Sequence, residues 1–255
     1  MTDPTQRFSS RVSDYVKYRP SYPAAIIDLL TAECGLTPDS IVADVGSGTG
    51  LLAELFLKAG TRVLGIEPNR EMREAGEQLL RGYERFSSIN ATAENTTLPD
   101  HSVNFITAGQ SFHWFDRSRV GMEFARVLRS PGWLVLIWNE RRVDSTPFLR
   151  AYERLLQTYS TDYTQVDHKS IDQDVIRAAF PTVSFQLRTF DNQQRFDLAG
   201  VTGRLMSSSY APEAGHPNHA PMLAELAAIF ETYQENGEIV FEYDTRVNYG
   251  QIMMT

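Results

Sequence analysis

Cysteine is almost absent from this chain: Cys34 is the only one in 255 residues. An intrachain disulfide is impossible, and so is a zinc centre built from several thiolates; no metal site is expected. A positive balance of charge is lacking too. Lys and Arg number 24 against 32 Asp and Glu, a formal net charge of −8. That argues against a broad polyanion-binding surface, so no nucleic-acid partner is expected. No apolar run approaches the roughly 20 residues of a membrane span, and no membrane partner is expected. Met1-Thr2-Asp3-Pro4-Thr5 lacks the basic and apolar blocks of a signal peptide, so a cytoplasmic location is the expectation. Internal repeats and low-complexity segments are also missing. What is present is an ordinary globular balance, 42% apolar and 22% charged, with a length that suits one large α/β domain.

The most informative stretch is Ile41-Val-Ala-Asp-Val-Gly-Ser-Gly-Thr-Gly50. Its β-branched start suits a buried strand. Glycines at 46, 48 and 50 then make a turn that tolerates φ > 0 and lets a ligand approach the backbone. The free N–H groups of a helix beginning at Leu51 face whatever lies over that turn. Two further absences narrow the ligand. A dinucleotide fingerprint places a third glycine where Leu51 stands, and a phosphate loop needs a Lys after Gly50. Asp44, two residues before the first glycine, would repel a pyrophosphate and suits a cation.

Beyond the turn, strand and helix alternate. Leu51–Lys58 reads as a helix and Thr61–Ile66 as a strand closing on Glu67. That puts Glu67 at the carboxyl end of the neighbouring strand, where open α/β sheets bind ligands. A carboxylate there accepts both hydroxyls of a ribose, at roughly 1.5–3 kcal/mol per charge-assisted bond. Pro68 after it equally marks Glu67 as a helix N-terminal acid. Asn69–Arg81 reads as a helix, Ser87–Ala91 and Val103–Ala108 as strands, Ser118–Leu128 as a helix. Pro131-Gly132 turns into a fifth strand, Trp133–Trp138, with Asn139 at its end. Five such alternations with short connections signal a parallel sheet. The pattern then changes. Helices are expected at Phe148–Tyr159, Ile171–Phe180, Leu198–Met206 and Pro221–Glu235, a sixth strand at Thr182–Phe190, and a last strand at Glu238–Tyr249. Before the turn, Arg7–Tyr18 reads as a short helix, and Tyr18-Arg-Pro-Ser-Tyr-Pro23 as a break before a helix to about Glu33.

Several segments resemble class I S-adenosylmethionine-dependent methyltransferases, in the type 11 small-molecule branch that includes enzymes similar to trans-aconitate methyltransferase. They are Val42–Gly50, Gly65-Ile-Glu-Pro-Asn69, Ala93-Glu94 with Leu98-Pro99, Gly109-Gln-Ser-Phe-His-Trp-Phe115 and Val127–Gly132, with Arg19–Pro23 fitting the same branch. The resemblance covers roughly residues 10–140. It implies a doubly wound, mostly parallel, seven-stranded Rossmann-like sheet with its last strand antiparallel. One domain spans 1–255, with residues 1–33 as an N-terminal helical lid and the cap helices within 141–236 around strand six. It implies S-adenosylmethionine as donor and S-adenosylhomocysteine as product. Asp44, Gly46, Ser47 and Gly48 would line the methionine and ribose portion, Glu67 the ribose hydroxyls, and Pro68 and Ala93 the adenine, with Glu94 beside it. Gln110 would lie near the methionine moiety and Arg19 would bind its carboxylate. Many relatives carry an acid where this chain has Thr92, which can still accept a hydrogen bond from the adenine amine.

A sulfonium fits a site lined by Asp44 and aromatics better than a phosphate nest. His113, after strand four, is the candidate general base; it reads equally as a structural histidine packed on Trp114. Tyr18, Tyr22, His113, Trp114, Asn139, Arg204 and Tyr210 are the candidate contacts for a small-molecule acceptor. A cofactor-binding regulator without catalysis and a nucleic-acid methyltransferase stand as alternatives. No Asn-Pro-Pro-Tyr-like run follows strand four, which disfavours the latter.

Overall fold

The computed structural model describes residues 17–161, 163, 173–208 and 210–252. Seven strands form one sheet in the order β3-β2-β1-β4-β5-β7-β6. They are β1 (Ile41–Val45), β2 (Arg62–Ile66), β3 (Phe86–Ile89), β4 (Val103–Gly109), β5 (Leu128–Arg141), β6 (Gln186–Phe196) and β7 (Ile239–Ile252). β1 to β5 run parallel, and β7 is antiparallel to both of its neighbours, β5 and β6. The mostly parallel sheet with an antiparallel last strand is the expected architecture. The chain moves outward from β1 through β2 to β3 and then returns to the far side of β1 with β4. The strand order therefore reverses between β1 and β4, and a crevice opens at their carboxyl ends.

The helices are α1 (Ala25–Cys34), α2 (Leu51–Lys58), α3 (Arg70–Leu80), α4 (Val120–Val127), α5 (Pro147–Tyr159), α6 (Gln173–Ala179), α7 (Leu198–Met206) and α8 (His219–Tyr233). Side chains of β1 alternate between two apolar layers. Ala43 and Val45 join Ile106, Phe112 and Phe124 on one face, and Val42 joins Ile26, Leu52 and Phe56 on the other. Burial on both faces accounts for the nearly continuous apolar run of this strand. A third apolar cluster lies in α5, α7, α8 and the start of β7, around Tyr152, Leu205, Leu226 and Phe241.

Local chemistry explains where elements begin. Asn69 caps α3 by accepting from Met72 N at 2.8 Å, Thr146 caps α5 and Asp197 caps α7. The sixth strand lies later than expected, at Gln186–Phe196 rather than Thr182–Phe190. It is an edge strand held by its backbone ladder to β7, so the polar run Asp191–Arg195 does not interrupt it. Pro131-Gly132 is not a free turn before β5 but an irregularity within it. Val103 pairs with Leu128 and Phe105 with Trp133, so the intervening β5 residues loop out of register. α8 starts two residues earlier than expected and β7 extends to Ile252. Residues 1–16, which hold most of the expected helix Arg7–Tyr18 and half of the expected lid, lie outside the described residues. No helix among the described residues is long and apolar enough to cross a membrane.

Candidate functional site

The glycine turn closes over the carboxyl end of β2. Gly46 N and Ser47 N both donate to Ile66 O, at 2.8 and 3.1 Å, and Gly50 N donates to Ser47 O at 2.9 Å. Gly46, Gly48 and Gly50 have φ of 65°, 55° and 84°, the left-handed region that glycine enters without strain. Their surroundings differ. A Cβ on Gly46 would stand 2.6 Å from Ser111 Cβ, whereas one on Gly48 would meet only Met72 Cε, at 3.4 Å. Gly46 is packed tightly against protein, whereas Gly48 has only the end of the flexible Met72 side chain against it.

Two buried carboxylates flank the turn. Glu67, 8% exposed, accepts from Gly48 N at 2.9 Å and from Asn69 N at 2.8 Å. Burial raises its pKa and the two backbone N–H groups work against that rise, with the net shift upward. Asp44, 1% exposed, accepts from Thr107 Oγ1 at 2.9 Å through Oδ1. Burial pushes its pKa up to about 7; the Thr107 bond opposes the rise and the charge of Glu67 adds to it. Asp44 Oδ2 and the Thr49 hydroxyl are buried without a hydrogen-bond partner. Orphaned buried oxygens are uncommon in native proteins. Together with the open face at Gly48 they fit a ligand that brings donors and positive charge.

The end of β4 supplies the next wall. Ser111 Oγ donates to Val45 O at 2.8 Å, tying this segment to the end of β1. Gln110 has φ 57°, and its Nε2 donates to Asn139 O at 3.0 Å. Phe112–Trp114 is a single 3₁₀ turn. Phe112 is buried, while His113 and Trp114 are exposed with ring centroids 4.6 Å apart. The segment after β3 joins here. Ala93 is buried, Thr92 is exposed, and Glu94 Oε1 accepts from Asp116 N at 2.7 Å.

Residues 17–22 run across this end of the sheet. The Asn139 amide reaches Pro20 O at 3.4 Å and Ser21 O at 3.3 Å. Asn192 Nδ2 also donates to Ser21 O, at 2.8 Å. The Tyr22 hydroxyl lies over Gly109, where an added Cβ would approach it to 2.5 Å. Tyr18 packs on Gly203 of α7, and Arg19 Nη2 donates to Ser207 O at 3.1 Å.

Among the predicted site residues, Asp44, Gly46, Ser47, Gly48, Glu67 and Pro68 are thus grouped at the turn. Gln110, His113, Trp114, Asn139 and Tyr22 stand beside it at the ends of β4 and β5. Arg204 and Tyr210 are elsewhere, in the helical cluster. Arg204, 6% exposed, points Nε at Tyr243 Oη, 3.4 Å away, and Nη1 at Ser208 Oγ, 3.2 Å away. Burial works against its charge, but the surrounding tyrosine hydroxyls outweigh it and its pKa is raised. Tyr210 packs edge-on against Tyr163, with centroids 5.0 Å apart. Thr107, Ser111 and Thr49 at the crevice and Tyr152 and Tyr243 in the helical cluster were not foreseen. Ser111 and Thr49 sit inside the motif runs and could have been taken from them. The others have no local signal.

A methyltransferase-domain family model matches residues 43–136. A Dictyostelium discoideum protein described as a methyltransferase is 31% identical over 242 residues, covering 92% of this chain and 90% of that protein. An uncharacterized methyltransferase of Mycobacterium tuberculosis is 36% identical over 139 residues; the match spans 54% of each chain, so about half the length of that curated relative is covered. Among solved structures, one described as a type II methyltransferase from Anaeromyxobacter dehalogenans aligns with a TM-score of 0.72 at 22% identity, over 93% of this chain and 100% of that one.

Proposed function

The chain belongs to the class I S-adenosylmethionine-dependent methyltransferases, and on that premise we propose that it transfers a methyl group from S-adenosylmethionine to a small-molecule acceptor. The observation that carries this reading is the pair of buried carboxylates, Asp44 and Glu67, beside an open glycine turn. When bound, the cofactor supplies a methyl group on a cationic sulfur. Asp44 brings a buried negative charge to that cation through Oδ2, which lacks a hydrogen-bond partner within the protein. Glu67 holds the ribose hydroxyls while keeping its bonds to Gly48 and Asn69, since each carboxylate oxygen accepts more than one donor. Gly46, Ser47 and Gly48 present backbone along the methionine arm, and Gln110 and Arg19 take its far end. Pro68 and Ala93 flank the adenine; Thr92 accepts from its amine and Glu94 braces the segment.

In-line displacement needs the acceptor held against the methyl group, an effect worth up to roughly 7–11 kcal/mol in well-oriented systems. Tyr18, Tyr22, Trp114, Asn139, Arg204 and Tyr210 form the acceptor side. His113 removes a proton when the acceptor atom carries one. Of the expected lid, the described residues 17–33 cover the crevice, and the helices within 141–236 act as a cap over the strand ends. Both fit a small acceptor enclosed from water, as does the acidic balance of the chain, and the protein works in the cytoplasm.

The test is a label. S-adenosylmethionine with a labelled methyl group, offered with a fractionated metabolite pool, is expected to mark a low-mass product that mass spectrometry identifies. Cofactor binding by calorimetry with no labelled product in any fraction would instead make the chain a cofactor-binding regulator.

A further inference from the structure

We propose that the interior of the helical cluster is an anion subsite, in which Arg204 holds the carboxylate or phosphate group of an acidic methyl acceptor. This rests on the methyl-transfer reading and names the acceptor's charge. Arg204 is 6% exposed, yet its hydrogen-bond partners are two neutral hydroxyls, those of Tyr243 and Ser208. The ring of Phe241 lies 6.0 Å away, and the remaining groups that act on its charge are the neutral hydroxyls of Tyr152 and Tyr210. No carboxylate pairs with it among the described residues. Arginine is rarely so buried without an acid beside it.

The second guanidinium of the cluster sharpens the case. Arg141 pairs with Glu153 and lies over the ring of Tyr152, 5.2 Å from its centroid. Its Nη1 is nevertheless buried without a partner, and so is the Tyr152 hydroxyl. Of the two guanidiniums only that of Arg141 is paired with a carboxylate, and two buried donors beside them have nothing to donate to. A neutral acceptor would satisfy the donors and leave the charge. An anion satisfies both, and a carboxylate or phosphate matches the guanidinium fork.

The position suits an acceptor. Arg141 pairs with Tyr243 across β5 and β7 and lies two residues beyond Asn139, whose carbonyl takes Gln110 Nε2. The cluster therefore adjoins the crevice at the same end of the sheet.

The experiment uses the full chain loaded with S-adenosylhomocysteine. Butyrate, succinate and inorganic phosphate are titrated against it by calorimetry, with butyramide and succinamide as neutral controls. The acids are expected to bind and the amides not to. Preference for phosphate points to a phosphomonoester as the source of the anion, and preference for the carboxylates to a carboxylic acid. Arg204→Met is expected to weaken anion binding at least tenfold while S-adenosylhomocysteine affinity stays within twofold, with Arg204→Lys between the two. Amides binding as well as acids, no anion binding at all, or full anion affinity in Arg204→Met would overturn the subsite. Should Arg204→Met fail to fold, the wild-type protein decides. The metabolite pool is split on an anion-exchange resin before the labelled-methyl assay, and label confined to the unretained fraction overturns the proposal. Failure to bind S-adenosylhomocysteine strikes the methyl-transfer reading instead.

Discussion

Two buried clusters of opposite sign stand at one end of a single sheet. At the glycine turn the buried ionisable groups are acids, Asp44 and Glu67. In the helical cluster they are dominated by Arg141 and Arg204 among tyrosines. The acidic cluster is local: its members end adjacent paired strands of one βαβ unit. The basic cluster is assembled from β5, α5, α7 and β7. Burial of like charge is unfavourable in both places and shows in raised pKa values on the acidic side. Each cluster therefore gains from a ligand of the opposite sign, a cation at the turn and an anion under the helices. On the proposed reading, a methyl donor and its acceptor are told apart by charge.

The contrast can be broken experimentally. The largest effect is expected in the basic cluster, from Arg141→Met. Glu153, its side chain only 18% exposed, would lose its charged partner and keep only the neutral donors Tyr163 and Gln157, at a cost of about 3 kcal/mol in denaturant unfolding. S-adenosylmethionine affinity is expected to be unchanged; a parallel loss of both would mean that the clusters are not separable.

Glu67→Ala should do the reverse at the acidic cluster. Two charge-assisted bonds to the ribose are lost, about 3 kcal/mol or roughly 100-fold in cofactor affinity by calorimetry. Unaltered affinity would remove Glu67 from the site.

A smaller effect separates the glycines. Gly46→Ala must push a Cβ into Ser111 from φ 65°, which is expected to cost about 2 kcal/mol of stability. Gly48→Ala, with only Met72 Cε at 3.4 Å, is expected to cost about 1 kcal/mol and to act on cofactor binding instead. Equal thermal shifts for the two variants would erase the distinction between packed and open turn.

The subtlest test is pH. The Asp44 pKa of about 7 lies above its ordinary value of 3.8, so the folded empty protein prefers the protonated acid. That contribution to stability is full below about pH 4 and is lost as pH rises towards 7. A cationic ligand prefers the carboxylate. S-adenosylmethionine affinity is therefore expected to climb about tenfold between pH 6 and 8, while S-adenosylhomocysteine, which lacks the sulfonium charge, climbs less. Asp44→Asn should flatten the difference, and identical profiles for the two ligands would show that Asp44 does not sense that charge.

The same contrast explains what could be read in advance. β1, the turn, α2 and β2 were legible because their signals are contiguous: β-branched residues, then glycines, then a helical period. Glu67 was placed by counting one helix and one strand from Gly50. Thr107, which reaches Asp44 from β4 across 63 positions of sequence, has no such signal. The basic cluster was harder still. Arg204 is a candidate acceptor contact from the sequence, but its burial has no local signal, because Tyr152, Tyr210 and Tyr243 approach it from separate elements. β6 was misplaced because backbone pairing, rather than apolar alternation, defines an edge strand.

That strand also bears on how the protein is made. β6 pairs with β7 alone, and β7 begins about 50 residues later in the chain. At ~5–20 residues per second, translation leaves roughly 3–10 s between the two. Throughout that interval β6 is a ladder of open N–H and C=O groups, the kind of edge that recruits other nascent chains. Its sequence, Gln-Leu-Arg-Thr-Phe-Asp-Asn-Gln-Gln-Arg-Phe, is charged and amide-rich and poor in the β-branched residues that nucleate aggregates. The polarity that hid the strand from view is what lets it wait safely for its partner.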